Sequence, residues 1–581
     1  MSISNSVPSD DGGLRSAATG SRWPAPLLAA CAALLGALLY ANALGNPFVY
    51  DDYALVVENP TLQDLTDIRG LLLRNVTRPL VNLSYALDKA LWGGGPFGYH
   101  LTNVILHVLN ILLVFEVTRR ACEDRQRQAG QVVRAPLSPP IAALAASILF
   151  ACHPALTEAV SYVASRAEVA SAGFFLASFL AGRRWMISGG PAWWAACVAA
   201  WLAASLTKET AIMLPFVLAA YSWTVLDAPP AEQRRRFLHM GLPLMGIATA
   251  GAVARVAVMQ FVEYSRLPVN WRFTLVSADA VWLYLSLLAY PHDQAISRAM
   301  TMPDPAHAMR MAAGILGLLA AVPIVWMLRR TYSLMSFGSL WFLMLLVPPS
   351  ALFALGVGEP IAERRCYLAS VGLFLWWGSA FAMLWERSSG RMPLRVPLAF
   401  VAVLFTVQLS LRTLLRNEIW GDPILLMRES VTLAPDHWIP WMLLGDAYRR
   451  EERCEDAILA YRRVLEIRPK EETAYNKISG CLINRRRFDE AREVLLQLRG
   501  INPASEEAAM SLGVLALLRG DAADARVEFA QAADRHPESV EARKMLAFVD
   551  GMMPAKERQE VCDYLRSLLH GAPVSACPAR G

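Results

Sequence analysis

The chain has 581 residues, of which 55% are hydrophobic and 18% are charged, and its mean hydropathy is +0.33. Soluble globular proteins carry about 25% charged residues, so this composition indicates that much of the chain lies in a lipid bilayer. The net charge of +5 comes from short arginine clusters between apolar segments, which is typical of membrane topology and not of nucleic-acid binding. The nine cysteines include no Cys-x-x-Cys pair, so we expect neither a zinc site nor a disulfide framework.

The first apolar segment runs from Ala25 to Leu44, which is about the length that crosses a bilayer. It ends just before the motif Phe48-Val49-Tyr50-Asp51-Asp52-Tyr53. Adjacent carboxylates at a membrane face are costly and favour a functional interpretation, although short motifs of this kind also simply end a helix. A polar loop over residues 45–98 follows, and it contains Arg78.

Further apolar segments alternate with two kinds of ionisable cluster. Arginine clusters follow one set of segments, and mixed acidic and basic clusters follow the other, which is the positive-inside asymmetry of membrane proteins. Residues 275–290 are ambiguous: a crossing there would put Arg329 and Arg330 outside, so we expect this segment to be re-entrant or to lie at the surface. The sequence thus predicts about eleven crossings, at 25–44, 99–118, 141–152, 169–181, 193–206, 211–225, 241–261, 308–328, 334–353, 367–384 and 396–415.

This topology collects the mixed clusters and the C-terminus on one outer side of the membrane. On the second segment, His100, Asn103 and His107 share one helix face, which suits either a polar seam between helices or a catalytic role. The residues that the topology places together on the outer side are Asp51, Asp52, Thr157, Glu158, Arg166, Lys208, Glu209, Glu363, Arg364 and Arg365.

From about Trp420 the apolar runs shorten and charges alternate. Trp441-x-x-Leu444-Gly445-x-x-Tyr448 opens a pattern that recurs after 34 residues, the tetratricopeptide period. The predicted division is a cytoplasmic tail (1–23), a membrane domain (24–418) and a repeat domain (419–571) with a tail (572–581). The predicted full repeats are 438–471, 472–505 and 506–539, with capping helices in 540–570.

The order of these motifs resembles the transmembrane and tetratricopeptide-repeat-containing O-mannosyltransferases and their bacterial relatives, in the GT-C glycosyltransferase superfamily. The sequence departs from that family at Ala369, where proline is expected, and at Arg365-Cys366, where an apolar pair is usual, so which arginine meets the donor phosphate is open. The pieces that carry the resemblance are Tyr50-Asp51-Asp52, Arg78-Pro79-Leu80, Gly98-Tyr99-His100-Leu101-x-Asn103 with His107, His153-Pro154-x-x-Thr157-Glu158, Arg166-x-Glu168, Lys208-Glu209, and Glu363-Arg364-x-x-Tyr367-Leu368-x-Ser370.

The resemblance implies an all-α fold, in which a GT-C-like polytopic helix bundle precedes a tetratricopeptide-repeat α-solenoid. It also implies transfer of a sugar from a polyprenyl-phosphate donor to an acceptor hydroxyl on a protein, with inversion at the anomeric carbon. Such a reaction needs a general base, for which we expect Asp51 or Asp52, and a cation for the leaving phosphate, for which the candidates are Arg364, Arg365 and Arg166. Asp52 is favoured as the base because Asp51 is closer to the apolar segment and is expected to be the buried or capping residue. Further pocket candidates are Arg78, His100, Asn103, His107, His153, Glu158, Glu168, Lys208, Glu209 and Glu363.

The alternative is a non-catalytic, membrane-anchored repeat scaffold for envelope protein assembly. A scaffold needs no ionisable clusters in its bundle, and the cost of such groups near lipid therefore favours the enzyme. The expected location is the cell inner membrane, as a multi-pass protein with its repeats on the periplasmic or lumenal side. The expected partners are a lipid-linked sugar donor, membrane lipids, and a protein acceptor or partner held by the repeats, without nucleic acid. No cofactor is predicted, and whether a divalent metal takes part is left open.

Overall fold

The computed structural model describes residues 24–129, 137–226, 229–258, 272–296, 298, 305–354, 361–388, 391–569 and 574–577. These residues form helices and connecting loops, with no β-strand among them, and the predicted all-α class is confirmed. The predicted N-terminal tail, 1–23, lies outside the described residues, as does most of the predicted tail at 572–581.

The membrane domain consists of helices α1 to α17, and several of them begin at a proline, whose fixed φ and missing N–H suit the first helical position. Their bounds are α1 Ala25–Leu39, α2 Ile68–Leu73, α3 Pro79–Trp92, α4 Pro96–Ala129, α5 Pro139–Cys152, α6 Thr157–Ser161, α7 Arg166–Ser188, α8 Pro191–Ser205, α9 Leu214–Thr224, α10 Pro230–Arg236, α11 Leu242–Val258, α12 Arg272–Ala289, α13 Pro305–Met327, α14 Ser333–Leu345, α15 Val347–Ala354, α16 Cys366–Arg387 and α17 Met392–Trp420.

Among the described residues, eight helical segments are long and apolar enough to cross a membrane. A ninth span results if the bent pair α5 and Pro154–Ser161, which meet at 60°, is counted as one. The predicted crossings at 193–206 and 211–225 coincide with α8 and α9, which have only 15 and 11 residues. The apolar part of α12, Asp279–Ala289, is likewise short. The chain is therefore a multi-pass membrane protein, as predicted.

Small residues let the central helices pack closely. A Cβ atom on Gly338 of α14 would lie 2.2 Å from the carbonyl oxygen of Gly372 on α16, and one on Gly378 would lie 2.4 Å from the carbonyl oxygen of Ala142 on α5. Close backbone contact of this kind is how membrane helices associate without a hydrophobic driving force between them. The helix α16 is thus held between α14 and α5 at the centre of the bundle.

The first and last membrane helices are joined by asparagine side chains. The Asn417 side chain donates to the Leu39 carbonyl at 2.9 Å and to Asn42 Oδ1 at 3.0 Å. Asn46 in turn donates to the Asn417 carbonyl at 3.1 Å, and Ser161 donates to Asn417 Oδ1 at 2.8 Å. These hydrogen bonds connect the C-terminal part of α17 to the loop that follows α1.

The two ends of the bundle differ in chemistry. At the C-terminal end of α4, Arg125 donates to the carbonyl of Arg330 at 3.0 Å. The arginines in the last turns of α4 and those just after α13 therefore share one end, here called the arginine end. At the N-terminal end of α4, the Tyr99 carbonyl accepts from Arg166 at 2.8 Å. This opposite end, here called the site end, carries the mixed acidic and basic motifs.

The repeat domain follows α17 as antiparallel helix pairs. Glycines at the predicted motif positions face aromatic rings, since a Cβ on Gly445 would lie 2.3 Å from the Tyr461 ring and one on Gly513 would lie 2.5 Å from the Phe529 ring. The 34-residue pattern therefore records where one helix must approach its partner. The helices are α18 Pro423–Leu433, α19 Trp438–Arg450, α20 Cys454–Ile467, α21 Glu472–Asn484, α22 Phe488–Ile501, α23 Glu506–Arg519, α24 Ala522–Arg535, α25 Val540–Val549 and α26 Ala555–Ser567.

A disulfide joins Cys562 on α26 to Cys577 in the C-terminal tail, and their Cα atoms lie 5.6 Å apart. The expectation that the cysteines form no disulfide is wrong for this pair. Cysteine spacing alone did not reveal the bridge, because the tail folds back onto the last helix of the repeat domain.

Candidate active site

The carboxylate loop, residues 46–53, follows the first membrane helix and orients its two aspartates differently. The Asp52 side chain has no exposed surface, and its oxygens accept the backbone N–H groups of Val49 at 2.9 Å and Ala164 at 2.6 Å. Asp51 is half-buried, and its own N–H donates to the Tyr162 hydroxyl at 3.0 Å. The expectation that Asp51 would be the buried, capping residue is wrong, because Asp52 has this role.

Burial dominates the ionisation of Asp52. It raises the pKa of the Asp52 carboxyl to about 8, against the opposing effect of the two backbone N–H donors. The neighbouring Asp51 also raises this pKa, and Arg166 lowers it. Both oxygens are occupied by backbone donors that belong to two separate segments, so Asp52 ties the carboxylate loop to the start of α7.

Three aromatic rings, one of them from the carboxylate loop itself, form a stack. Tyr50 stacks on Tyr162 with ring centroids 6.4 Å apart and planes at 11°, and Tyr162 stacks on Trp420 at 5.6 Å and 21°. Tyr50 has a φ of +47°, a left-handed conformation that is uncommon for a residue other than glycine. The stack therefore supports a locally strained backbone just before the two aspartates.

Arg364 lies beside the same tyrosine. Its guanidinium carbon is 5.9 Å from the centroid of the Tyr162 ring, and its side chain is 18% exposed. Glu158 pairs with the Arg364 guanidinium and also accepts the Arg364 backbone N–H at 3.0 Å. Tyr162 thus has the backbone of Asp51 at its hydroxyl and the cation of Arg364 near its ring. Burial raises the pKa of Tyr162 well above its usual range, the charge of Asp51 raises it further and the charge of Arg364 lowers it, so both charges act on this tyrosine.

The neighbours of Arg364 in sequence have different surroundings. Glu363 is buried and accepts from the Ala295 N–H at 2.9 Å and from Gln294 at 2.8 Å, and it pairs with Arg298 at 3.1 Å. Glu363 therefore fixes the segment that follows α12. Arg365 is half-buried, and its position next to Arg364 leaves it a candidate for the donor phosphate.

Two further ion pairs line the same end of the bundle. Arg78 pairs with Glu209 at 3.1 Å, with side chains 33% and 18% exposed, and Lys208 pairs with the buried Glu168. Glu209 is the main cause of the raised pKa of Arg78, and the charges of Glu168 and Arg364 also act on it. The predicted clusters at 78, 158, 168, 208–209 and 364 therefore form one electrostatic neighbourhood.

Arg166 differs from the other candidates because it has no exposed surface. It pairs with Asp88 at 2.5 Å, donates to Asn103 Oδ1 at 2.9 Å and donates to the Tyr99 carbonyl at 2.8 Å. Its guanidinium carbon also lies 4.7 Å from the centroid of the Tyr85 ring. These contacts favour a structural role over the predicted contact with a donor phosphate, because a phosphate would have to displace buried partners.

The histidine candidates lie at helix contacts. His107 Nδ1 is 2.8 Å from the Tyr367 hydroxyl, and His100 is buried on the same face of α4. His153 Nδ1 accepts the Ala155 N–H, so its Nε2 is the donor to the Leu288 carbonyl at 2.9 Å. These contacts match the alternative of a polar seam between helices.

No group of three or more His, Cys, Asp and Glu side chains within the described ranges is arranged to hold a metal ion.

Known proteins resemble both parts of the chain. The family model described as "Tetratricopeptide repeat" matches residues 413–472 and 482–546. Protein O-mannosyl-transferase Tmtc1 of Drosophila melanogaster is 29% identical, and the match covers 76% of this chain and 61% of that protein. The chain is related to the Tmtc O-mannosyl-transferases. Tmtc3 of the same organism is 26% identical and covers 82% of the chain, and human TMTC1 is 25% identical and covers 77%.

The chain spans about three fifths of the length of these Tmtc relatives, at 61%, 59% and 56%. Among solved structures, the APC/C hetero-tetramer Cut9-Hcn1 aligns with 84% of this chain and 90% of its own chain, at 10% identity. Its TM-score of 0.21 is too low to support a conclusion about the fold.

Sequence reasoning missed three features of the site. It did not connect Asp88 with Arg166, or Asn417 with the first helix, and it gave Trp420 no role in the site. An asparagine within an apolar helix is a usable signal, since such polar groups need partners inside the bundle. No local pattern indicated the contact of Trp420 with Tyr162, because these residues lie far apart in the chain.

Proposed function

We propose that this chain is an integral-membrane glycosyltransferase of GT-C type that transfers a mannosyl group from a polyprenyl-phosphate donor to a hydroxyl group of a protein. The observation that carries the proposal is that the Asp51 backbone and the Arg364 guanidinium both lie at Tyr162, and that the charges of both residues act on this tyrosine. The reaction needs a carboxylate and a phosphate-binding cation side by side. The sugar is taken from the names of the Tmtc relatives, which are O-mannosyl-transferases.

In this mechanism Asp51 is the general base. It accepts the proton of the acceptor hydroxyl while that oxygen attacks the anomeric carbon, and the bond from this carbon to the phosphate oxygen breaks. The bonding electrons leave with the lipid phosphate, and direct displacement inverts the anomeric carbon. Asp51 is preferred over Asp52 because general-base catalysis requires contact with the acceptor, and Asp52 is buried with both oxygens occupied.

Arg364 is the proposed ligand of the leaving phosphate. Its guanidinium is planar and carries several donors, so it can bind two phosphate oxygens while one edge stays on Glu158. Arg78 is a second cation with partial exposure, and its pairing with Glu209 holds it at the same end of the bundle. Arg365 is the alternative phosphate ligand at this position.

Several observations support an outer, periplasmic or lumenal position of the site and the repeats. The last membrane helix ends at Trp420, against Tyr162, so the repeats begin at the site end of the bundle. The arginine end then faces the cytoplasm, according to the positive-inside rule. The disulfide between Cys562 and Cys577 fits an oxidising compartment.

The scaffold alternative requires only an anchor for the repeats. It offers no reason for the ion pairs Arg78–Glu209, Glu158–Arg364 and Glu168–Lys208 at one end of an apolar bundle. Ionisable groups next to lipid are costly and mark functional sites in membrane proteins. The enzyme is therefore the better supported function.

The test is transfer by the purified full-length chain in proteoliposomes. Polyprenyl-phosphate-mannose and periplasmic proteins from a strain that lacks the gene are supplied, and mass spectrometry detects the added hexose. We expect transfer by the wild type and its loss in Asp51→Asn. Polyprenyl-phosphate-glucose tests the sugar. No transfer from either donor by folded protein would refute the enzyme and favour the scaffold.

A further inference from the structure

The repeat domain shares a hydrophobic cluster with the carboxylate loop. This cluster contains Val49 and Tyr162 together with Trp420, Leu426 and Met442. Leu426 lies on α18 and Met442 lies on α19, so the first repeat helices and the loop bury their apolar side chains together. A domain that is only tethered to the bundle would have a core of its own. Here the core of the solenoid includes Val49, two residues before Asp51.

One contact between the two parts passes through the aromatic stack. Trp420, the last residue of α17, supports Tyr162, and Tyr162 supports Tyr50 in its left-handed conformation. A backbone conformation of this kind persists only where the surrounding structure holds it. Trp420 is almost completely buried, so its ring is fixed by the start of the repeat domain.

The second contact is direct. Arg450, the last residue of α19, places its guanidinium carbon 3.6 Å from the centroid of the Tyr53 ring. Tyr53 follows Asp52 immediately, whereas Tyr50 precedes Asp51. The two aspartates are therefore flanked by aromatic residues that both depend on contacts from the repeat side. Arg450 itself is exposed, so its replacement leaves no unfilled cavity.

We propose that Trp420 and Arg450 are positioning residues, through which the first repeat helices hold the carboxylate loop in its reactive conformation. This inference rests on the proposed function for its effect on turnover. It extends the expected role of the repeats, which is to bind a protein acceptor. The repeat domain then influences turnover of an acceptor too small to reach the solenoid, because the contacts act on the base and not on acceptor binding.

The test uses the full chain in proteoliposomes, with polyprenyl-phosphate-mannose and a short hydroxyl-containing peptide as acceptor. Arg450→Gln removes the charge above Tyr53, and Arg450→Lys retains it. The matched control is Arg468→Gln, because Arg468 lies 4.6 Å from the ring of Trp438 wholly inside the repeat domain. Two quantities are measured: kcat and KM for the peptide, and hydrogen exchange of residues 46–58 without substrate.

We expect Arg450→Gln to lower kcat by about fivefold, the size of one cation–aromatic contact, with little change in KM. Exchange of residues 46–58 should rise by a similar factor. Arg450→Lys should restore most of both, and Arg468→Gln should match the wild type. Trp420→Phe, which keeps a smaller ring, should lower kcat in the same manner.

Unchanged hydrogen exchange of the loop in Arg450→Gln would overturn the proposal. This result is independent of the proposed function, because exchange can be measured even if the wild type transfers no mannose. Unchanged kcat alongside increased exchange would also overturn it, because the contact would then have no effect on the base. An equal loss of kcat in Arg468→Gln would have the same result, since it would indicate general damage to the repeat fold.

Discussion

The two aspartates of the carboxylate loop are predicted to respond differently to the same substitution. Asp51→Asn removes a half-buried carboxylate that we assign as the base. Loss of a well-placed general base costs about 10²–10⁴-fold in rate. We expect kcat for mannosyl transfer to fall by that factor, while KM for the lipid donor and hydrogen exchange of the carboxylate loop stay unchanged. Asp51→Glu should retain part of the activity, because it keeps the carboxylate.

Asp52→Asn acts through the backbone. Asparagine has one side-chain oxygen, so the N–H of either Val49 or Ala164 loses its acceptor and faces an NH₂ group. An unsatisfied buried N–H costs about 1–3 kcal/mol. This cost shifts the equilibrium between the bound and the released conformation of the loop by about 5- to 150-fold. We expect faster exchange of the loop in Asp52→Asn, accompanied by a fall in kcat that does not exceed this shift.

The assay is transfer from polyprenyl-phosphate-mannose in proteoliposomes, run beside hydrogen exchange on the same preparation. Asp64→Asn is the matched control, because Asp64 is an exposed carboxylate in the same loop region (residues 45–98), bonded locally to Thr66. It should behave as wild type. The assignment is refuted if Asp51→Asn keeps the wild-type kcat, or if Asp52→Asn abolishes transfer without any change in loop exchange.

Three further predictions concern stability and location. Arg166→Leu leaves Asp88 buried without its ionic partner, at a cost of about 3–5 kcal/mol. Folded protein should therefore nearly disappear on size-exclusion chromatography, and adding Asp88→Leu to the same chain should restore part of it. Because burial raises the pKa of Asp52 from 3.8 to about 8, the folded state binds more protons between these values. Protection of the carboxylate loop should therefore decrease as the pH rises from 4 to 8, when exchange is corrected for its intrinsic pH dependence, and Asp52→Asn should abolish this effect. Cys562 and Cys577 should react with a maleimide in denatured protein only after reduction, whereas their labelling in denatured, unreduced protein would contradict the disulfide.

The sequence predicted the fold well because its signals are local. The length of an apolar segment identifies a membrane helix wherever that helix packs. The tetratricopeptide period reflects a contact between the two helices of one repeat, such as that of Gly445 with Tyr461. Helices α8 and α9 lie where crossings were predicted, but α9, with 11 residues, is shorter than the apolar run at 211–225. Turns at Thr207 and Lys208 end α8, and the 3₁₀ segment Glu209–Met213 occupies the start of the second apolar run, so α9 begins only at Leu214.

The residues of the candidate site could be proposed from the sequence, but the ion pairs and hydrogen bonds between them could not. Charge next to lipid identified Glu158, Lys208 and Arg364 without any structural information. Their pairing depends on loops that meet only in the folded bundle. The expectation that Asp51 and not Asp52 would be the buried aspartate was wrong for a similar reason, since the left-handed turn at Tyr50 redirects the chain and no periodicity indicates such a turn.

The hydrogen bonds of Asn417 also have a consequence for biosynthesis. Asn42 and Asn417 are 375 residues apart, so the first helix is synthesised long before the residue that bonds to it. At 5–20 residues per second, this interval is about 20–75 s. The carboxylate loop follows the first helix but completes its contacts only when Trp420 and Arg450 have left the ribosome. In the proposed topology, a nascent chain carries its aspartates across the membrane well before Trp420 and Arg450 can hold them. The order of synthesis would then delay the proposed activity until the repeat domain has begun to fold.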